Sequence, residues 1–177
     1  MFSSLVDHVT AFVGAHSAWA PAIVGVLAFC ESLAFLSLLV PATVMLVGIG
    51  ALLGAAGLGL ASGEFWLVVL SGAVGAVLGD WLSYEVGRRY DERAKRIWPL
   101  DRYPHLIVTG EAFVRRFGVW AIFLGRFFGP ARAVVPLVAG IFAMARWPFQ
   151  FANAASALVW AFGLLAPGAG LLDWLRG

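Results

Sequence analysis

Four ionisable side chains stand in stretches of this chain that are otherwise apolar: Glu31, Asp80, Arg126 and Arg132. An arginine keeps its proton and forks onto phosphate or carboxylate, so Arg126 and Arg132 suit the holding of an anion. A carboxylate in partly desolvated surroundings suits proton uptake and release, the role read here for Glu31 and Asp80. An arginine at the centre of a bilayer costs at least about 2.5–3.5 kcal/mol, and two acids facing two arginines is the cheapest way to hold such charge in lipid. The plainer alternative is a set of static ion pairs that lock a helix bundle.

Arg126 and Arg132 lie within Phe123–Gly140, a run interrupted by Gly125, Gly129, Pro130, Pro136 and Gly140. Two prolines so close are not expected in one straight helix, because each removes a donor and crowds the preceding turn. Six residues of unbroken helix turn through about 600°, which would set the arginines on opposite sides. A chain reversal at Gly129–Pro130 would instead bring both guanidiniums to one cavity, where they are expected to bind a substrate phosphate. Irregular backbone at membrane depth persists only where protein or water covers it. The stretch is therefore predicted to be a hairpin over 118–145 that enters the membrane and turns back.

The elements that must position these residues follow from composition. Hydrophobic residues make up 62% of the 177 and charged residues 12%, about half the charge of a soluble domain. An all-α integral membrane protein is expected, because the apolar runs are too continuous for barrel strands. Residues 2–14 alternate with helical period and read as an interfacial helix. From Ser17 to Ser62 the only charge is Glu31, far more than one span needs. Pro41 divides this run into an expected hairpin at 18–41 and a full span at 42–61. A second span is expected at 65–87, where Asp80 and Tyr84 share a face, and a last one at 147–172, with Asn153 in its first half. Between them, 88–116 reads as a polar loop. It carries eight of the twelve Lys and Arg residues, which places it in the cytoplasm by the positive-inside rule. A single membrane domain over 1–177 is the result.

The chain resembles the DedA family, whose shared region is also called the VTT or SNARE-associated domain. The likeness runs from about Phe29 to Trp160. It rests on Phe29-Cys30-Glu31-Ser32 followed by Pro41, Gly79-Asp80 with Tyr84 and Gly87-Arg88, Gly125-Arg126-Phe127 with Pro130 and Arg132, Pro136 with Ala139-Gly140, and Phe151 and Asn153 with Trp160. The resemblance implies a multi-pass protein of the bacterial inner membrane with two re-entrant hairpins. It also implies a flippase-type lipid transport, undecaprenyl phosphate or a related phospholipid being the substrate, driven by the proton gradient. Family members usually carry Pro-Gly-acid where this chain has Pro41-Ala42-Thr43, which leaves Glu31 and Asp80 to carry any proton coupling.

Rival readings use the same charges. Leu78-Gly79-Asp80 approaches the Gly-x-Gly-Asp of intramembrane aspartyl proteases, but position 77 is Val, and Tyr90-Asp91 lies in the charged segment. No Ser/His/Asp set or metal-ligand spacing is present in the sequence, so neither an enzyme nor a cofactor or metal is expected. A proton-coupled transporter of a small ion or drug cation, or a structural membrane protein, remains open. The expected partners are membrane lipids and protons and not nucleic acid, with self-association left open.

Overall fold

The computed structural model describes residues 17–33, 42–94 and 104–176. The expected interfacial helix at 2–14 and the break at Pro41 lie outside the described residues. After a short 3-10 turn at Ser17–Trp19, the described chain forms helices α1 (Ala20–Ser32), α2 (Ala42–Ala55), α3 (Gly63–Ala94), α4 (Pro104–Phe117), α5 (Val119–Gly125), α6 (Gly129–Ile141) and α7 (Arg146–Arg176). Among the described residues there is no strand.

Two helices are long and apolar enough to cross a membrane, over Gly63–Tyr90 in α3 and Arg146–Gly170 in α7. Both are apolar along most of their length. On α3, Phe65, Val68, Val69, Ala73 and Ala76 face inward, while Leu67, Leu70, Val74, Leu78 and Trp81 face outward. Their outward faces are apolar, as a membrane span solvated by lipid requires, and the polar residues Asp80, Asn153 and Ser156 are buried. α3 and α7 run antiparallel. Tyr84 stacks on Phe149 at 4.2 Å, Asn153 Nδ2 donates to the Val77 carbonyl at 3.1 Å, and Phe65 meets Phe162 edge-on.

α1 and α2 are half-length arms. Their 13 and 14 residues reach only about 20 Å at ~1.5 Å per residue, against a hydrocarbon core of about 30 Å. α1 runs parallel to α3: the Ser71 hydroxyl donates to the Pro21 carbonyl at 2.5 Å, Gly25 lies against Gly75, and Phe29 lies against Gly79. The approach at Gly75 is close enough that a Cβ there would collide with the Gly25 carbonyl. α2 runs parallel to α7, Gly50 resting on Leu165 and Gly54 on Ala169. Since α3 and α7 are antiparallel, so are α1 and α2. Both arms occupy the half of the bundle at the N-terminal end of α3, sharing a core of Val24, Leu46, Ile49, Phe65, Val68 and Leu165.

The expected span over 42–61 is thus corrected. Its helix stops at Ala55. The stop is a Schellman turn: the Leu58 amide bonds the Leu53 carbonyl and the Gly57 amide bonds the Gly54 carbonyl, with Gly57 at φ 77°. Of the expected hairpin at 18–41, the described residues show the single helix Ala20–Ser32 after the 3-10 turn.

The second pair, α5 and α6, fills the opposite half. Ala121, Ile122, Val135 and Val138 pack with Tyr84 and Phe149. The chain turns through Arg126–Phe128, so Gly129 and Pro130 open α6 rather than forming the reversal. Pro136 is also corrected. It lies inside α6 and does not end it. Both prolines fit one helix because Pro130 is in the first turn, where its missing N–H has no partner to lose, and Pro136 forfeits only the bond to the carbonyl four residues back, that of Arg132.

The polar loop expected at 88–116 is helical at both ends. α3 continues to Ala94, and Pro104 opens α4, a proline suited to a first helical position. α4 is amphipathic, with Gly110 against Val138 of α6 and Arg115 and Arg116 in its last turn.

Candidate functional site

The two broken pairs meet at the level of Asp80, midway along α3. Glu31 closes α1, Thr43 opens α2, Arg126 follows α5 and Arg132 sits in the first turn of α6. Each comes from a helix end, where backbone and side chain can turn inward together. Glu31, Asp80, Arg126 and Arg132 are all buried, exposed by 3–7%.

The four charges form two ion pairs. Arg126 Nη2 donates to Asp80 Oδ2 and to Asn153 Oδ1 at 2.5 Å, and its Nε donates to the Ser156 hydroxyl at 2.9 Å. Arg132 Nη1 donates to Glu31 Oε1 at 2.7 Å, and its Nη2 reaches the Ser32 hydroxyl at 3.3 Å. The Thr43 hydroxyl donates to the same Glu31 oxygen at 2.6 Å. The guanidinium of Arg132 lies 4.3 Å above the Trp160 ring, a cation–π contact that offsets part of the desolvation of the charge.

Hydrogen bonding in the cluster is incomplete in a regular way. One atom of each charged residue is buried without a partner: Glu31 Oε2, Asp80 Oδ1, Arg126 Nη1 and Arg132 Nε. A buried unsatisfied donor or acceptor costs about 1–3 kcal/mol, more where charged. Two free donors on arginines can take anionic oxygens, and two free carboxylate oxygens can take protons.

Among the expected site residues, Glu31, Thr43, Asp80, Arg126, Arg132 and Asn153 come together. Gly125 lies directly behind Arg126, close against Val135. Gly129, Pro130 and Pro136 belong to α6. Tyr84 does not join the cluster. Its hydroxyl donates to the Met144 carbonyl at 2.5 Å and accepts from Arg88 at 2.8 Å, which ties α3 to the α6–α7 turn. Ser156 was not expected. Its signal lay in the spacing Asn153, Ser156, Trp160, which sets a polar stripe on one face of an apolar helix. Ser32 and Trp160 entered only as parts of the family motif. No group of three or more His, Cys, Asp or Glu residues able to hold a metal occurs among the described residues.

An apolar helical bundle with paired charges buried at mid-span, where two broken helix pairs meet, defines a polytopic membrane protein. The VTT domain family matches residues 40–170, and the chain belongs to that family, the DedA family. It is 33% identical over 167 residues to the inner membrane protein YabI of Escherichia coli K12, covering 93% of this chain and 62% of that protein. It is 28% identical to the uncharacterized membrane protein BU139 of Buchnera aphidicola, covering 90% of this chain and 60% of the other. Over 97 residues it is 35% identical to the uncharacterized membrane protein Rv2637 of Mycobacterium tuberculosis, which spans 52% of this chain and 44% of that one. The chain thus spans about three-fifths of the length of the first two relatives. No solved structure matches.

Proposed function

We propose that this protein moves a phosphate-bearing lipid, undecaprenyl phosphate or a related phospholipid, across the bacterial inner membrane with proton coupling. The observation that carries this reading is the cluster itself, two arginines and two carboxylates with one unsatisfied atom each. In one state each carboxylate holds its arginine. A proton on Glu31 Oε2 or Asp80 Oδ1 removes the negative charge and weakens the pair, and a phosphate oxygen then binds the unpartnered Arg126 Nη1 or Arg132 Nε. Loss of the proton restores the pair and expels the phosphate. Bidentate, charge-assisted bonds suit arginine to this exchange. No bond is made or broken in the substrate, so the protein acts as a transporter and not as an enzyme.

Under this reading α1–α2 and α5–α6 are re-entrant hairpins that approach Asp80 from opposite sides of the membrane, the usual way transporters bring helix ends to a substrate at mid-depth. The basic segment 88–116 faces the cytoplasm. One observation favours a purely structural role instead: both arginines already hold a carboxylate. Lysine substitution separates the two. Arg126→Lys and Arg132→Lys keep the charge and the ion pair but lose the second prong. In vesicles reconstituted with each variant, transport and binding of undecaprenyl phosphate are expected to fall, by about 1–3 kcal/mol in binding for the lost charged bonds. Wild-type transport by both variants would sink the reading.

A further inference from the structure

A second feature lies outside the charge cluster, on the surface formed by α3 and α7 with Phe29 of α1. A groove of about 950 Å³ opens there, near the upper end of the range that holds a drug-sized molecule, roughly 300–1,000 Å³. One wall is apolar, made by Phe29, Leu78, Trp81 and Leu82. Of these, Leu78, Trp81 and Leu82 are exposed. The other end is charged, made by Glu85, Arg89 and Arg146, with Trp147 beside them. Apolar along its length and ionic at one end, the groove has the polarity of a single lipid molecule.

The charges give the occupant its sign. Arg146 is engaged with Glu85, Nε to Oε1 at 3.2 Å. Arg89 is exposed and has no ion-pair or hydrogen-bond partner among the described residues. Among the groove's lining residues the charged end therefore carries one positive charge in excess, that of Arg89. Exposed basic groups at a membrane surface attract anionic lipid, and tryptophan favours that depth; Trp81 and Trp147 are both exposed here.

We propose that this groove binds one anionic phospholipid, its headgroup phosphate between Arg89 and Arg146 and an alkyl chain along Phe29, Leu78, Trp81 and Leu82. This rests on α3 and α7 spanning a membrane and not on transport through the buried cluster. The groove nevertheless adjoins that cluster. Gln150 lines it, accepts from Asn153 Nδ2 at 3.3 Å, and Asn153 in turn accepts from Arg126. A lipid seated there is one side chain removed from the contacts of Arg126.

The test is lipid binding to the full chain in detergent, read by native mass spectrometry, with phosphatidylglycerol and phosphatidylcholine of matched chains and with soluble glycerol phosphate as competitor. Phosphatidylglycerol is expected to bind at least tenfold more tightly than phosphatidylcholine. Arg89→Gln with Arg146→Gln should abolish that preference, Leu82→Asn should weaken both lipids, and glycerol phosphate should not displace either. Transport of undecaprenyl phosphate is measured on the Arg89/Arg146 variant as well and should persist there, so a failure of lipid transport is read separately from a failure here. An undiminished preference in the Arg89/Arg146 variant overturns the proposal. So does displacement by glycerol phosphate, which would mark a bare phosphate site. Dimers that dissociate on the same substitutions, with lipid binding unchanged, also overturn it, since a second copy would then cover the groove. Should the double variant melt early, acyl-brominated phosphatidylglycerol gives a second measurement. It should quench wild-type tryptophan fluorescence more than that of Trp81→Phe, and equal quenching counts against the site.

Discussion

Glu31 and Arg132 stand 101 residues apart in the chain and 2.7 Å apart in space, Oε1 to Nη1. Glu31 ends one broken pair's first arm and Arg132 begins the other's second, so this contact joins the two halves of the bundle. Asp80 and Arg126 make the parallel connection from α3. Two short helices from opposite halves of the bundle are thereby joined through charge at their facing ends.

The first prediction concerns that junction. Arg132→Met should destabilise the protein by about 3–5 kcal/mol, because it leaves Glu31 buried and unpaired. Glu31→Leu combined with Arg132→Met should recover most of the loss, since a buried pair contributes little beyond an apolar replacement of similar volume. Unfolding of both variants in mixed micelles measures this. A double variant no more stable than the single one would show that Arg132 is held mainly by Trp160 and Ser32.

How far the sequence disclosed this site can be judged from particular residues. Glu31, Asp80, Arg126 and Arg132 were legible because an ionisable group in an apolar run is too costly to persist without a partner or a task. Which acid meets which arginine was not, because spacing along the chain carries no information about pairing between distant helices. The end of α2 was missed for a related reason. Gly50 and Gly54 let α2 approach α7, whereas Gly57 terminates the helix with a positive φ. In sequence these glycines look alike. Pro136 misled in the other direction, since a proline within a helix costs one backbone bond and packing around α6 accommodates it.

The packing glycines give a second prediction. Gly75→Val places branched carbon against the Gly25 carbonyl and should push α1 off α3. Loss of folded protein in size-exclusion profiles is the expected result. Gly163→Ala in α7 is the control, because nothing lies within 4 Å of the added Cβ, and removing a helical glycine should stabilise by up to about 1 kcal/mol. Equal behaviour of the two would mean the α1–α3 contact does not limit stability.

A third prediction follows from the end of α6. Ala143 adopts φ 51° in a Schellman turn, with the Met144 amide on the Ala139 carbonyl and the Ala143 amide on that of Gly140. A left-handed conformation costs a residue with a Cβ about 1–2 kcal/mol, and glycine escapes it. Ala143→Gly should therefore raise stability by about 1 kcal/mol after the extra unfolded-state entropy of glycine is subtracted. A thermal melt reads this directly. A lower melting temperature would mean that contacts of the Ala143 methyl outweigh the strain.

The last prediction tests how the first broken pair sits in the membrane. α1 and α2 occupy the same half of the bundle, so Trp19 before α1 and Leu60 after α2 should lie on one side. Val108 in α4 lies in the other half of the bundle, toward the C-terminal end of α3, near Gly110 and its contact with α6. All three side chains are exposed, at 61%, 38% and 66%. Trp19→Cys, Leu60→Cys and Val108→Cys, each in a Cys30→Ala background, can be probed in intact cells with a membrane-impermeant maleimide. With the basic segment in the cytoplasm, the cysteines at 19 and 60 should react from outside, and the one at 108 only after permeabilisation. A full span at 42–61 behind a re-entrant segment would instead put 19 and 60 on opposite sides. That outcome would rule out the first hairpin, while reaction of all three sites with inverted sidedness would keep the hairpin and reverse only the orientation.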